Sequence, residues 1–451
     1  MEFVSPIDAL FLLAESREHP MHVGGLMLFE PPEDAGPDYV RRTHERILRE
    51  TSFHPTFRKR PATWLGAPQI GWTQESDIEL GYHVRRAALP RPGGQQQLLD
   101  LASRLHSTLL DRHRPLWEMH VIEGFGDGRF ALYTKMHHAL IDGVSGQRLM
   151  RRTMTEDATA RDLLVPWNLP RTHPRNTDEP SGSTFGSAAR NLLSAAGSVP
   201  ALARTARDAL LRQQLTMPFS APRTMFNVPI GGARRVVVRS WPLERVKQVA
   251  KSTGSTVNDV VLAMSAGALR GFLREREALP DKPMIAMVPV SLRDEDDNEP
   301  GGNKICAILC NLATDLADPF ARLEAIKDSM HRNKEVYRAL SNTQAMALSA
   351  LTLSPFAMSL LPALNSVANP AFNIVISNVS GAREPLYWNG ARLDAGYPMS
   401  IPLDGQAANI TLTTNGANLD FGIVGCRRSV PHLDRILIHL DNALTELEES
   451  H

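Results

Sequence analysis

The run Met136-His137-His138-Ala139-Leu140-Ile141-Asp142-Gly143 places two adjacent histidines just ahead of an aspartate and a glycine. Histidine suits proton transfer near neutral pH because its ordinary pKa is about 6.5. To act as a general base it must be neutral and held in one orientation. Neighbouring side chains on extended backbone point opposite ways, so only one of His137 and His138 can easily face a given cavity. Asp142 either orients that histidine directly or fixes the loop by pairing with a distant arginine. Gly143 suits a tight turn that needs an unusual backbone angle. Other chemistries fit less well. His137, His138 and Asp142 lack the spacing of common zinc sites, so no metal is expected. The chain also has no G-x-S-x-G nucleophile elbow and no P-loop.

Elements on either side must hold the motif. Residues 130–136 form an apolar, strand-like run before it, and 145–154 a helical segment after it. Residues 21–29 and 117–124 read as further strands, with 39–50 and 95–110 as helices. Later strands are expected at 236–238, 284–290, 305–312, 372–377, 409–413 and 420–424. Later helices are expected at 243–252, 257–276, 319–340, 344–364 and 431–448. Strands and helices interleave, so the expected fold class is mixed α/β. Thr256 and Asp259 resemble a capping box that opens the helix from 257. Asn258 lies in that first turn, where backbone donors and a partial positive charge suit an oxyanion or thioester contact. A cap without substrate contact is the alternative.

At 451 residues the chain is long for one core, and two domains are expected. Pro166, Pro170, Pro174 and Pro180, set among small polar residues, mark a linker. A basic amphipathic helix follows over about 187–215. It reads either as a linker helix across a domain or as a surface that touches anionic lipid. The expected division is 1–165, a linker with this helix over 166–233, and 234–451. The formal net charge is zero, without the basic footprint of a nucleic-acid binder. Cys306, Cys310 and Cys426 give no disulfide framework, and the first two read as small core residues on one strand face. No positive region precedes the apolar stretch ending at Leu13, and no run of about 18 apolar residues occurs. Neither a secretory signal nor a membrane-spanning helix is expected, which points to the cytoplasm.

The run from His137 to Gly143 resembles the HHxxxDG motif of coenzyme-A-dependent acyltransferases. That superfamily includes chloramphenicol acetyltransferase and the condensation domains of peptide synthetases. Neighbouring blocks narrow the resemblance to bacterial wax ester synthase/diacylglycerol acyltransferases. Pro115-Leu116-Trp117-Glu118 is similar to that family's PLW block. Pro20-Met21-His22-Val23-Gly24-Gly25, Val257-Asn258-Asp259-Val260-Val261-Leu262-Ala263 and Val288-Pro289-Val290-Ser291-Leu292-Arg293 resemble three more, in the same order. Glu384-Pro385-Leu386-Tyr387-Trp388-Asn389-Gly390 adds another, and the likeness spans nearly the whole chain. One block departs. Where the family has SNVPGP, this chain has Ser377-Asn378-Val379-Ser380-Gly381-Ala382, so a less rigid turn is expected there.

The resemblance implies two chloramphenicol-acetyltransferase-like domains with the active-site channel between them. It implies transfer of a long-chain fatty acyl group from acyl-CoA to a fatty alcohol, giving wax ester, or to diacylglycerol, giving triacylglycerol. The wax ester activity is preferred. Acyl-CoA is then a substrate, and no cofactor is needed. His138 is the expected base and His137 a support of the loop. Asp142 is expected to be mainly structural, paired with Arg293 of the second domain. Pro115, Leu116 and Trp117 are expected to pack at the channel wall, with Ser377 and Asn378 as channel or support residues. Peripheral contact with a membrane or lipid inclusion is compatible with these substrates. Two other readings compete: a condensation-type transferase using carrier-protein thioesters, and a non-catalytic lipid-droplet binding protein. The family-specific blocks argue against the first, and intact His138, Asp142 and Gly143 against the second.

Overall fold

The computed structural model describes residues 2–4, 6–64, 67–169, 220–291, 305–338, 340, 348 and 369–449. The expected helix at 187–215, most of the expected helix at 344–364, and Arg293 lie outside the described residues. The chain divides into two compact units. The first comprises Met1–Pro170, Val228–Arg245 and Ser377–Leu437; the second comprises Arg171–Asn227, Val246–Ile376 and Ile438–His451.

The first unit opens with strands β1 (Glu2–Phe3), β2 (His22–Glu30), β3 (Lys59–Trp64), β4 (Ala67–Gln74), β5 (Val84–Ala88), β6 (Trp117–Glu123), β7 (Phe130–His137) and β8 (Arg234–Pro242). Between them lie helices α1 (Pro6–Ala14), α2 (Tyr39–Ile47), α3 (Leu80–His83), α4 (Gln95–Ser107) and α5 (Gly143–Arg151). The second unit contributes β9 (Ile285–Ser291), β10 (Ile305–Asn311) and the start of β11 (Ile374–Ala382). Back in the first unit follow β12 (Tyr387–Trp388), β13 (Ala391–Met399), β14 (Ala408–Asn415) and β15 (Asn418–Cys426).

Six strands in the order β12-β13-β2-β7-β6-β5 form the sheet that carries the motif. Only the β5–β6 pair is parallel among those with described register. β7 is buried at every position from Phe130 to His137. A largely apolar run suits a strand covered on both faces, and here Thr134, Lys135 and His137 are buried within it. One face packs on Phe57, Trp117, Trp167 and Trp388, the other on Leu98, Ala102, Tyr397 and Val424. Fully burying a side chain the size of Phe contributes about 1.5–3 kcal/mol, so these clusters fix the sheet firmly. Lys135 also points inward from β7. Its ammonium donates to Leu105 O (3.2 Å) and Thr108 O (2.9 Å) and lies 3.4 Å from Glu118. It thereby adds a second donor to Leu105 O, which also accepts the Thr108 N–H, and a donor to Thr108 O at the end of α4.

β13 has no counterpart among the expected strands. Asp394, Gly396 and Pro398 interrupt its pattern, and its pairing with β2 is irregular between Leu393 and Ala395. Pairing along β2 nonetheless holds it extended. The segment 377–382 differs from expectation too: it is extended within β11 rather than a turn. Ser380 and Ala382 keep N–H groups that prolines would remove, so an extended path remains open. Gly381 is required there, because a Cβ would collide with the backbone oxygen of Thr414.

Two smaller antiparallel sets complete the described strands of the first unit, β1-β4-β3 and β14-β15-β8. In the second unit β9 pairs antiparallel with β10, and Ile374 and Val375 pair parallel with Ala286 and Met287. Helix Val257–Arg274 is buried along most of its length.

Candidate active site

β7 ends at His137, and the chain then turns through His138–Asp142 into α5. Main-chain bonds fix this turn. His137 N–H donates to Leu116 O (3.0 Å), and His138 N–H donates to Met21 O (2.8 Å). Leu140 and Ile141 N–H return to His137 O (2.9 and 3.1 Å). Each histidine is thus anchored by a residue from a different sequence block. Leu116 is itself locked in a small apolar cluster with Leu12, Trp72, Leu110 and Ala139. Trp117 stacks on His83 and Trp167, and its Nε1–H donates to Phe57 O (2.9 Å). Pro115, Leu116 and Trp117 are all buried, so this block packs as core.

The two rings have different surroundings. His137 is fully buried, and its Nδ1 accepts the Ala139 N–H (3.1 Å). Nε2 must then carry the ring proton, and it lies 3.4 Å from Oε1 of Glu15. The Glu15 side chain is 2% exposed. It also accepts from Met21 N (3.2 Å) and Arg112 Nε (2.9 Å). Burial pushes its pKa up, but His137 and Arg112 outweigh burial and hold the carboxyl below its ordinary value. Glu15 was not among the expected site residues. A lone acid just past an apolar stretch carries no spacing signal, and Arg112 is 97 positions away.

His138 is partly buried, and its ring stacks on Phe11 of α1 with centroids 4.0 Å apart and planes at 21°. Burial lowers its pKa below the ordinary value, and the charge of Asp142 only partly offsets this. The imidazole is therefore neutral at pH 7, the state a base requires.

Asp142 caps α5. One carboxylate oxygen accepts the Ser145 N–H and the other the Ser145 hydroxyl, both at 2.8 Å. The expectation for Gly143 fails. It is the first residue of α5, has no left-handed φ, and a Cβ there would meet only Val23 Cγ1 at 3.9 Å. The turn is made instead at His138–Leu140, and Asp142 leads into the helix with φ −73° and ψ 165°, an extended conformation open to any residue.

In the second unit, Thr256 and Asp259 form the expected capping box. Asp259 N–H donates to Thr256 Oγ1 (3.2 Å), and Thr256 N–H to Asp259 Oδ2 (3.0 Å). Asn258 is partly exposed in that first turn. Ser377 and Asn378 are partly buried on β11. Cys310 is buried, which pushes its thiol up to about 12, and Cys426 is buried as well. The side chain of Cys306 lies outside the described residues. Among the described residues, no group of three or more His, Cys, Asp or Glu could hold a metal ion. No described helix is long and apolar enough to cross a membrane.

The mixed α/β fold presents this two-histidine turn at the end of a buried strand, and the family models show what class of protein it belongs to. The wax ester synthase/diacylglycerol acyltransferase catalytic domain matches residues 4–261, and the WS/DGAT C-terminal domain matches 301–448. The chain belongs to the wax ester synthase/diacylglycerol acyltransferase family. It is 55% identical over 455 residues to "Probable diacyglycerol O-acyltransferase tgs2" of Mycobacterium tuberculosis, covering 100% of this chain and 99% of the relative. The wax ester synthase/diacylglycerol acyltransferase of Marinobacter aquaeolei VT8 is similar in structure, with TM-score 0.79 and 38% identity over 99% of both chains. The first condensation domain of the calcium-dependent antibiotic synthetase shares the fold, with TM-score 0.59 and 16% identity over 99% of this chain and 95% of that one.

Proposed function

We propose that this acyltransferase moves a long-chain fatty acyl group from acyl-CoA to the hydroxyl of diacylglycerol, with a long-chain fatty alcohol as a second acceptor. His138 is the general base. The observation that carries this reading is the placement of His138 at the end of a buried strand, its backbone N–H on the Met21 carbonyl and its ring stacked on Phe11, where burial lowers the imidazole pKa. His138 takes the hydroxyl proton as the alcohol oxygen bonds to the thioester carbonyl carbon. The tetrahedral oxyanion then collapses, the carbon–sulfur bond breaks, and His138 returns the proton to the CoA thiolate. One base serves both half-steps, so no acyl-enzyme is required.

The relatives at 55% identity are named for diacylglycerol. That supports diacylglycerol ahead of the fatty alcohol preferred from sequence. Both acceptors are poorly soluble in water, so we place the reaction at the surface of a membrane or lipid inclusion.

The test is thiol release from palmitoyl-CoA with diolein or hexadecanol, for wild type and His138→Ala. Acceptor-dependent release is expected to fall about 100- to 10,000-fold in the variant. Release that survives in the variant, or needs no acceptor, overturns the reading. A trapped covalent acyl-enzyme overturns the direct route.

A further inference from the structure

We infer that the solvent-facing side of α1 is the surface by which this enzyme docks on a lipid layer holding its acceptor. The inference rests on the reading of a lipid acceptor given above. Large apolar side chains are strongly exposed at few described positions: Leu10 (52%), Leu13 (57%), Leu316 and Ile438. Two of these lie on α1, three residues apart, and so share one face. Single exposed leucines are ordinary. A surface helix, however, normally turns charged and polar residues outward. α1 reads Pro6-Ile7-Asp8-Ala9-Leu10-Phe11-Leu12-Leu13-Ala14, and its single charged residue, Asp8, is only partly exposed.

The rest of the helix ties this face to the chemistry. Leu12 is buried with Trp72, Leu110, Leu116 and Ala139. Phe11, between the two exposed leucines, stacks on His138. A single helix thus connects the exposed apolar face with the base. The Leu12 carbonyl, near the helix end, is already taken by the Arg112 guanidinium.

A lipid layer fits this face better than a protein does. A stable protein interface covers about 800 Å² per partner, far more than two leucines supply. Insertion into a lipid surface needs only apolar side chains at the headgroup boundary. Diacylglycerol carries no charge, matching a face without charged side chains.

The test is flotation of the intact protein with phosphatidylcholine vesicles containing diolein. Wild type and Leu316→Ser are expected to float, and the double variant Leu10→Ser/Leu13→Ser to bind roughly fivefold less, with an unchanged melting temperature. The single variants Leu10→Asn and Leu13→Asn, each expected to lose part of the binding, decide the matter if the double variant melts early. Wild type that does not float overturns the inference. So does undiminished binding by the double and single variants, or an equal loss in Leu316→Ser. A double variant that floats normally but elutes as a smaller species assigns the face to a second copy, which also overturns it. Failure of the acceptor reading shows separately, as wild-type protein that floats but releases no thiol in the presence of diolein.

Discussion

Oε1 of Glu15 lies 3.4 Å from Nε2 of His137, and the same carboxylate accepts the N–H of Met21. The Met21 carbonyl in turn holds the N–H of His138. A buried acid that the proposed chemistry never touches is therefore one residue removed from His138, the proposed base. These contacts place it to hold both histidines, through Nε2 of His137 and through Met21 beneath His138.

Glu15→Ala is expected to cost about 1–3 kcal/mol of stability, because Arg112, Met21 N–H and His137 lose a buried acceptor together. Glu15→Gln retains one oxygen in place and is expected to recover much of both stability and thiol release. Urea melts alongside rate measurements check this. Equal loss in the two variants would show that the negative charge, rather than the acceptor geometry, is what matters.

Asp142→Asn separates capping from charge. Asparagine caps helices as well as aspartate does, whereas Asp142→Ala should cost about 0.5–2 kcal/mol. The Asn variant is expected to melt close to wild type. If its thiol release nonetheless drops, the charge of Asp142 acts on His138.

Gly143→Ala is expected to fold normally, within about 0.5 kcal/mol of wild type, since the position is helical and open beyond Val23. Thermal melting decides it. A large loss of stability would mean that the glycine is needed for a backbone angle after all.

The rate should report the pKa of His138. Burial holds it below the ordinary histidine value, so kcat/KM should be level near pH 7 and fall only below about pH 6.5. The Asp142 charge raises this pKa, so Asp142→Asn should move the acid limb to still lower pH. Rate profiles of the two proteins test the sign, and a shift to higher pH contradicts it.

Stability should fall in mild acid. His22 and His106 are both buried, with His22 Nε2–H donating to His106 O (2.9 Å) and His106 Nδ1 3.0 Å from the Tyr133 hydroxyl. Burial drives the pKa of His22 well down and that of His106 to about 3. Both stay neutral in the fold while the unfolded chain takes up protons below about pH 6.5. Their contribution is complete above that pH and is lost as pH falls from there toward 3. Melting temperatures at neutral and mildly acidic pH measure it, and a flat profile would refute it.

How much of this was legible depended on the range of the interactions. β7 and the Thr256–Asp259 capping box are written in consecutive residues, and both occur where the sequence indicates. The family blocks were legible for the same reason. β13 was hidden because its glycine and proline speak against a strand, and pairing with β2 overrides them. α1 read only as a short apolar stretch, since a helix exposed and buried by turns, with little charge, shows no polar face. Glu15 depends on two side-chain partners, Arg112 and His137, that lie 97 and more positions away, beyond any spacing rule. Gly143 misled because a glycine after aspartate suggests a turn, whereas here the turn lies at His138–Leu140, the aspartate caps the helix and the glycine merely begins it.

The placement of β13 beside β2 has a consequence for synthesis. β2 emerges from the ribosome early and gains β7 on one side about a hundred residues later, but its other edge stays bare until Ala391–Met399 arrives. An open strand edge is a template for wrong pairing. The nascent enzyme must therefore shield that edge through most of its translation. A chain cut after residue 261, where the catalytic family model ends, would carry both histidines and still lack the strand that closes their sheet.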